Sequence, residues 1–321
     1  MQAYVLRRVL LMVPLLFGVS VVVFAMVRVL PGDVATLMVA GGQDSGASGV
    51  NEETIQAIRR SLYLDQPLHV QYGIWLWQVA RGDLGTSYWT KRPILDEIGR
   101  ALPITIELAV LAVLISVLVG VPLGVVSAVR QDTGLDYAGR LFSIGALSLP
   151  DFWIGTMLVL FPLLWFGWIP SIKYTPLLVD PGANLQQMLF PAFALGVHNS
   201  GPIMRITRSS MLEVLRQDYV RTAWAKGLGE ARIVWGHTLK NAAIPVLSLI
   251  GVRLGRLLGG TVVMEQIFVI PGLGLLVLGA ITERDYPLLQ GVIVLFAAIF
   301  LLVNLIVDVL YAWLDPRIRY T

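Results

Sequence analysis

Residues 104–129 read ITIELAVLAVLISVLVGVPLGVVSAV, a run of 26 positions in which Glu107 is the single ionisable side chain. A hydrocarbon layer about 30 Å thick is crossed by about 20 apolar residues wound as a helix. A helix also satisfies its own backbone where no water can do so. The run therefore predicts a membrane-spanning helix. Working outward, the same criterion marks residues 9–27, 141–166, 188–206, 244–263 and 292–313, six spans in all. The first follows Arg7 and Arg8 as a secretion signal would. Its apolar run is too long for one, and no small-residue cleavage site precedes Leu30-Pro31-Gly32-Asp33, so it is expected to be retained.

The composition agrees. Of 321 residues, 56% are apolar or aromatic and 14% are charged, against roughly 25% charged in soluble domains. Cysteine is absent, which excludes disulfides, thiolate nucleophiles and cysteine-bound metals. The small net charge of +3 reads as arginines gathered on one membrane face rather than as a nucleic-acid surface. With both termini placed inside, the inner segments hold thirteen basic residues and the two short outer loops hold only Lys173 and Arg284. That asymmetry sets both ends in the cytoplasm.

Two segments outside the spans are long. The outer one, about 31–100, starts with a Gly/Ser-rich stretch at 41–49 and continues in a helical pattern at 51–62, with Asn51 as its cap. Trp75 and Trp77 lead into Arg81-Gly82-Asp83-Leu84-Gly85, so a small extracytoplasmic domain of loops and short helices is expected. It is read as a cap over the spans or as a docking surface. The inner segment, about 205–245, predicts a helix over 211–226 with Leu212, Leu215, Tyr219 and Ala223 on one stripe. Gly227 stands where a left-handed helix stop is needed. After Gly229 a second amphipathic stretch covers 230–241, and Pro245 opens the fifth span. Pro14, Pro122, Pro150, Pro162 and Pro202 are candidate bends.

Several strings carry a resemblance. Asp218-Tyr219-Val220-Arg221-Thr222-Ala223, then Ala225-Lys226-Gly227-Leu228 and His237-x-Leu239-x-Asn241-Ala242-x-x-Pro245, resemble the cytoplasmic coupling loop of ABC-importer permeases. The branch is that of the dipeptide, oligopeptide and nickel importers, which reads Arg-Thr-Ala where others read Glu-Ala-Ala. Leu30-Pro31-Gly32-Asp33, Gly82-Asp83-Leu84-Gly85 and Glu265-x-x-Phe268-x-x-Pro271-Gly272-Leu273-Gly274 agree in order and spacing. So do Arg284-Asp285-Tyr286-Pro287, Asn304-Leu305-x-Val307-Asp308 and Asp315-Pro316-Arg317.

The resemblance implies an all-α integral membrane protein with six transmembrane helices, a type I importer core over 101–314 and a cytoplasmic tail over 315–321. It implies a peptide permease subunit of the bacterial or archaeal cytoplasmic membrane. The partners it implies are a second homologous permease, two ABC ATPase subunits and an extracytoplasmic substrate-binding protein. No cofactor is expected on this chain, because ATP and magnesium would sit on the ATPase subunits. The residues agree with a non-catalytic role: the four lysines are followed by Arg92, Tyr174, Gly227 and Asn241, so no Gly-Lys-Ser/Thr phosphate loop exists. Candidate ATPase contacts are Glu213, Leu215, Asp218, Tyr219, Arg221, Ala223, Trp224 and Lys226, with Gly227 setting the turn.

Polar and ionisable groups deep in a membrane are costly and usually face a cavity or a partner. Asp151, His198, Asn199, Arg253, Arg256, Asn304 and Asp308 are therefore candidate pathway residues, with Arg253 and Asp308 the expected ion pair. Asp151, Arg253 and Arg256 depart from the small or neutral residues of the family pattern and point to a charged or zwitterionic substrate. Nickel-chelate or glutathione import is the alternative within the class. A proton-coupled carrier using Glu107, Asp151, His198 and Asp308 as a relay is the alternative outside it. Metal clusters and nucleic-acid contacts are not expected.

Overall fold

The computed structural model of the protein describes residues 2–29, 52–61, 63–169, 171 and 173–314. The described elements are helical: α1 (Gln2–Val29), α2 (Glu52–Ser61), α3 (Leu68–Ala80), α4 (Ile94–Val129), α5 (Gly134–Ser148), α6 (Asp151–Phe166), α7 (Pro181–Leu215) and α8 (Asp218–Ala225). They continue with α9 (Glu230–Gly260), α10 (Val262–Ile267), α11 (Leu273–Thr282) and α12 (Tyr286–Leu314). One isolated bridge, Thr86 to Pro93, is the β pairing among these residues. The motifs Leu30-Pro31-Gly32-Asp33 and Asp315-Pro316-Arg317, the stretch 41–49 and the Asn51 cap lie outside the described residues.

Among the described residues, four helices are long and apolar enough to cross a membrane: Leu6–Arg28, Ile94–Val129, Glu230–Gly260 and Tyr286–Ile306. A fifth arises if α5 and α6 count as one span, but they meet at 92° rather than forming the straight helix expected over 141–166. The cause is local. Proline disfavours the helical region for the residue before it and brings no N–H, and Leu149 and Pro150 both take extended backbone angles. The expected span at 188–206 lies inside α7, which falls short on apolarity for a physical reason. Asn184, Gln187, Asn199, Ser200 and Thr207 of α7 are all buried by protein, and these polar residues on its enclosed face lower its mean apolarity, while Leu185, Leu189 and Phe193 stay exposed on the other.

The chain forms two compact units. The first comprises Met1–Val5, Pro103–Leu275 and Ile299–Thr321. In it α7 packs against α5, α6 and α9. Two apolar cores flank this helix. One gathers Leu108, Ala112, Met188, Leu195, Leu258 and Ile270. The other gathers Val125, Met211, Val214, Val220, Ile233 and Ala242. The Glu265 carboxyl is fully buried, and it accepts hydrogen bonds from Thr105 Oγ1 (2.8 Å), Thr261 Oγ1 (2.8 Å) and the Leu275 N–H (2.9 Å).

The second unit comprises Leu6–Leu102 and Leu276–Ala298. Here α1 is pinned to α3 by Ser20 Oγ and Tyr72 Oη, 2.8 Å apart, and by the Phe24 and Tyr72 rings packed edge to face at 5.3 Å. The buried Asp285 accepts from Ser87 Oγ (2.5 Å) and from the backbone N–H groups of Tyr88 (3.0 Å) and Leu288 (3.3 Å). A single carboxylate thus closes the chain segment before α4 onto the start of α12.

Candidate functional site

The predicted inner segment divides where nothing in its composition announces a break. α7 ends at Leu215, Gln217 is extended (φ −78°, ψ 149°), and α8 starts afresh at Asp218. The single helix expected over 211–226 is therefore two, and the interruption rotates the face that follows. Val220 and Ala223 of α8 are buried with Met211, Val214, Ile233 and Val234, while Leu212, Leu215 and Leu228 pack around them half-buried. Tyr219, placed on the apolar stripe by the sequence, is instead 40% exposed, and Trp224 is 48% exposed.

α8 ends as Gly227 requires. Gly227 has φ +77°, its N–H donates to Trp224 O (2.9 Å), and the Leu228 N–H donates to Ala223 O (3.3 Å). These two bonds define a Schellman motif, which needs a left-handed residue after the helix. The next helix starts at Glu230, and its Ile233–Thr238 segment is a π-helical turn. Such a turn releases backbone acceptors from the regular ladder. The His237 carbonyl accepts from Asn241 Nδ2 (3.1 Å), which also donates to Tyr219 Oη (2.7 Å). The helix expected to open at Pro245 therefore begins at Glu230, and Pro245 lies inside α9.

The result is a short helix with a buried apolar back and an exposed front. Asp218, Tyr219, Arg221, Trp224 and Lys226 are exposed, as is Glu213 on the last turn of α7. The Arg221–Asp218 pair (3.4 Å) is almost fully solvated, so it adds little rigidity. Rigidity comes instead from the core behind Val220 and from the Tyr219–Asn241 tie.

The predicted pathway residues separate into groups. Asn199 is buried and bridges: its Nδ2 donates to Leu195 O (2.8 Å), and its Oδ1 accepts from Arg253 Nη1 (3.3 Å). Arg253 Nε is buried without a hydrogen-bond partner among the described residues. His198 Nδ1 lies 3.2 Å from Leu149 O, so the tautomer protonated there satisfies the carbonyl left over at the α5–α6 bend. Asp151 accepts from the Phe152 N–H (2.7 Å) at the start of α6, and Asn304 donates to Phe300 O (2.9 Å) within its own helix. Arg256 is exposed. Asp308 belongs to α12, but its side chain, and hence the expected pair with Arg253, lies outside the described residues.

One cluster was missed by the sequence reading. Asp136 of α5 is fully buried and receives Arg208 from α7 (2.7 and 2.8 Å), Arg140 (3.2 and 2.5 Å) and Ser127 of α4. The i, i+4 spacing of Asp136 and Arg140 was the available signal. Arg208 is 72 residues away in sequence and could not be paired from it.

The family model described as the binding-protein-dependent transport system inner membrane component matches residues 120–320, and its N-terminal companion matches residues 1–109. A relative from Brucella abortus (strain 2308), named as a peptide transport system permease protein, is 40% identical over 320 residues covering all of both chains. The dipeptide transport system permease DppB of Alkalihalophilus pseudofirmus is 38% identical over 340 residues, again with full coverage of both. The glutathione transport system permease GsiC of Salmonella typhi is 39% identical over 321 residues, with full coverage of both. Among solved structures, a chain of the MetNI methionine ABC transporter in an inward-facing conformation matches with a TM-score of 0.55. It covers 69% of this chain and 97% of that one at 16% identity, a likeness of fold alone. With both family models spanning nearly the whole sequence, and a core whose fold is shared with an ABC transporter membrane chain, the protein belongs to the binding-protein-dependent transport system inner membrane component family, and it is a multi-pass permease.

Proposed function

We propose that this permease is one membrane subunit of an ATP-driven peptide importer of the bacterial or archaeal cytoplasmic membrane, with both termini inside. A second homologous permease completes the pathway, two ATPase subunits bind from the cytoplasm with one of them seated on α8, and an extracytoplasmic binding protein delivers the substrate. α7 serves as the fourth of six spans. The observation that carries the reading is α8 itself. A rigidly backed helix that leaves Tyr219 and Trp224 outward is suited to seat in a groove on a partner, since aromatic anchors dominate such contacts. Closure of the ATPase pair would then move α7 and α9 as rigid bodies through α8.

Peptides are the favoured cargo because relatives of full-length similarity are named for peptide, dipeptide and glutathione transport. Nickel chelates are the remaining alternative. Asn199 with Arg253 is a candidate contact for a polar substrate group, and Arg256, Asp151 and Asn304 are further candidates.

The test is co-expression of the chain with a second permease, the ATPase subunits and the binding protein, followed by purification and ATPase assay. The expected result is a four-part complex whose ATP hydrolysis rises with peptide-loaded binding protein and falls at least about tenfold with Trp224→Ala. A chain that purifies alone and moves peptide under a proton gradient without ATP overturns the reading in favour of a proton-coupled carrier.

A further inference from the structure

The second unit holds a partly open cavity of about 250 Å³ between α1, α3, the 83–88 segment and the first turn of α12. Its walls include the rings of Phe24, Trp75, Tyr88 and Tyr286. Two polar groups in this lining are unexplained. Gln71 is only 7% exposed, and its amide NH₂ is held by Leu64 O (3.3 Å) and Gln66 O (2.7 Å). That leaves its Oε1 buried without a partner among the described residues. Arg28 lies over the Phe24 ring at 5.1 Å, and its Nε is likewise buried without a partner. A buried acceptor and a buried cationic donor left open in one cavity each cost free energy unless something fills them.

The required occupant follows from these groups. It must bring an anionic oxygen for the Arg28 guanidinium and an N–H or O–H for the Gln71 carbonyl. It must also bring a body that accepts aromatic walls. At roughly 30 Å³ per water, the space corresponds to about eight waters, enough for one amino-acid residue. The terminal residue of a peptide carries its carboxylate and its amide N–H on a single Cα, which matches the pairing of donor and acceptor. We propose that this cavity binds the C-terminal residue of a peptide, with the carboxylate on Arg28, the N–H on Gln71 Oε1 and the side chain against Trp75 and Tyr88. It is an outer subsite for substrate on the permease itself. The choice of a peptide as ligand rests on the importer reading, whereas the polarity of the cavity does not.

The test uses the complete transporter in phosphatidylcholine nanodiscs without its binding protein. The probes are Ala-Ala-Phe and the same tripeptide as its C-terminal amide, followed by calorimetry. The free acid is expected to bind saturably and the amide about tenfold or more weakly, because a charge-assisted bond is lost. Arg28→Gln is expected to bring the acid down to the affinity of the amide, Arg28→Lys to retain part of the preference, and Gln71→Met to weaken both probes. Because the acid-to-amide ratio is read within each variant, a general loss of folded protein does not imitate the result. Equal binding of acid and amide, or displacement of the peptide by phosphatidylglycerol added to the nanodisc, overturns the proposal. The second outcome would assign the cavity to a lipid headgroup. Peptide import by the complete system with no binding to the isolated transporter overturns the cavity alone. Binding without any import overturns the importer reading and leaves the cavity standing.

Discussion

Arg208 of α7 grips Asp136 of α5 with two nearly parallel bonds, Nε to Oδ1 at 2.7 Å and Nη2 to Oδ2 at 2.8 Å. Arg140 reaches the same carboxylate from one turn along α5. The Asp136 side chain is inaccessible, while those of Arg208 and Arg140 keep 19% and 39% of their exposure. Removing one partner of a buried pair costs about 3–5 kcal/mol, and the partial exposure of the arginines brings the expected loss for Asp136→Asn to about 2–3 kcal/mol. It is measured as a lowered unfolding temperature of the purified protein. Arg208→Met combined with Asp136→Leu is expected to recover most of the loss, because no charge is then left buried. A double variant as unstable as the sum of its parts contradicts the account.

Gly227 adopts φ +77° with open space where a Cβ would stand. The obstacle to substitution is therefore backbone strain and not collision. A left-handed residue other than glycine costs about 1–2 kcal/mol, with asparagine the mildest. Gly227→Val is expected to lower peptide-stimulated ATPase activity several-fold while the chain still inserts and assembles. Gly227→Asn should fall between it and the parent. Equal activity of all three would detach the turn from coupling.

Gly272 presents the opposite case. A Cβ there would lie 2.5 Å from Glu265 Cδ and Oε1, deep in the network that Thr105, Thr261 and Leu275 complete. Gly272→Ala is expected to destabilise the protein by about 1–3 kcal/mol through overpacking. Shortening the acid in Gly272→Ala/Glu265→Asp should restore part of it. Thermal unfolding of the two variants decides the matter, and an unchanged single variant would count against the tight contact.

Tyr174 donates its hydroxyl to Glu107 Oε2 at 2.9 Å. Burial first, and then this bond to a carboxylate, push its ionisation up to about 12. The neutral phenol is favoured in the folded state, so its contribution to stability is complete below about pH 10 and is lost as pH rises towards 12. The difference in ultraviolet titration between the parent and Tyr174→Phe is expected to show no ionisation until well above pH 10. A difference signal with a midpoint near 10 would show that the bond does not form.

How much of this was legible depends on the range of the interactions involved. The spans at 104–129, 244–263 and 292–313 were read from local apolarity, and Gly227 from its place after Lys226, because both signals reside in a few consecutive residues. The face of α8 was misplaced because the chain breaks at Arg216 and Gln217, where no glycine or proline marks it. The span at 188–206 is legible as apolar, but the burial of Asn184, Gln187 and Asn199 within α7 depends on helices far away in the sequence. The contact of His198 Nδ1 with Leu149 O is not legible in the sequence, because the two residues lie 49 positions apart and meet through the bend at Pro150.

The sequence by itself determined that the chain is a helical membrane protein, that the segments at 9–27, 104–129, 244–263 and 292–313 are apolar enough to cross, and which family it belongs to. Each of these follows from composition over a window or from a string of adjacent residues. Only the tertiary structure decided that α5 and α6 turn by 92°, that Asp136 meets Arg208, and that Gln71 and Arg28 face one cavity. Those facts depend on the rotation of each helix about its axis and on its crossing with another. Such rotations are set by side-chain packing between segments far apart in the chain, to which no local pattern is sensitive.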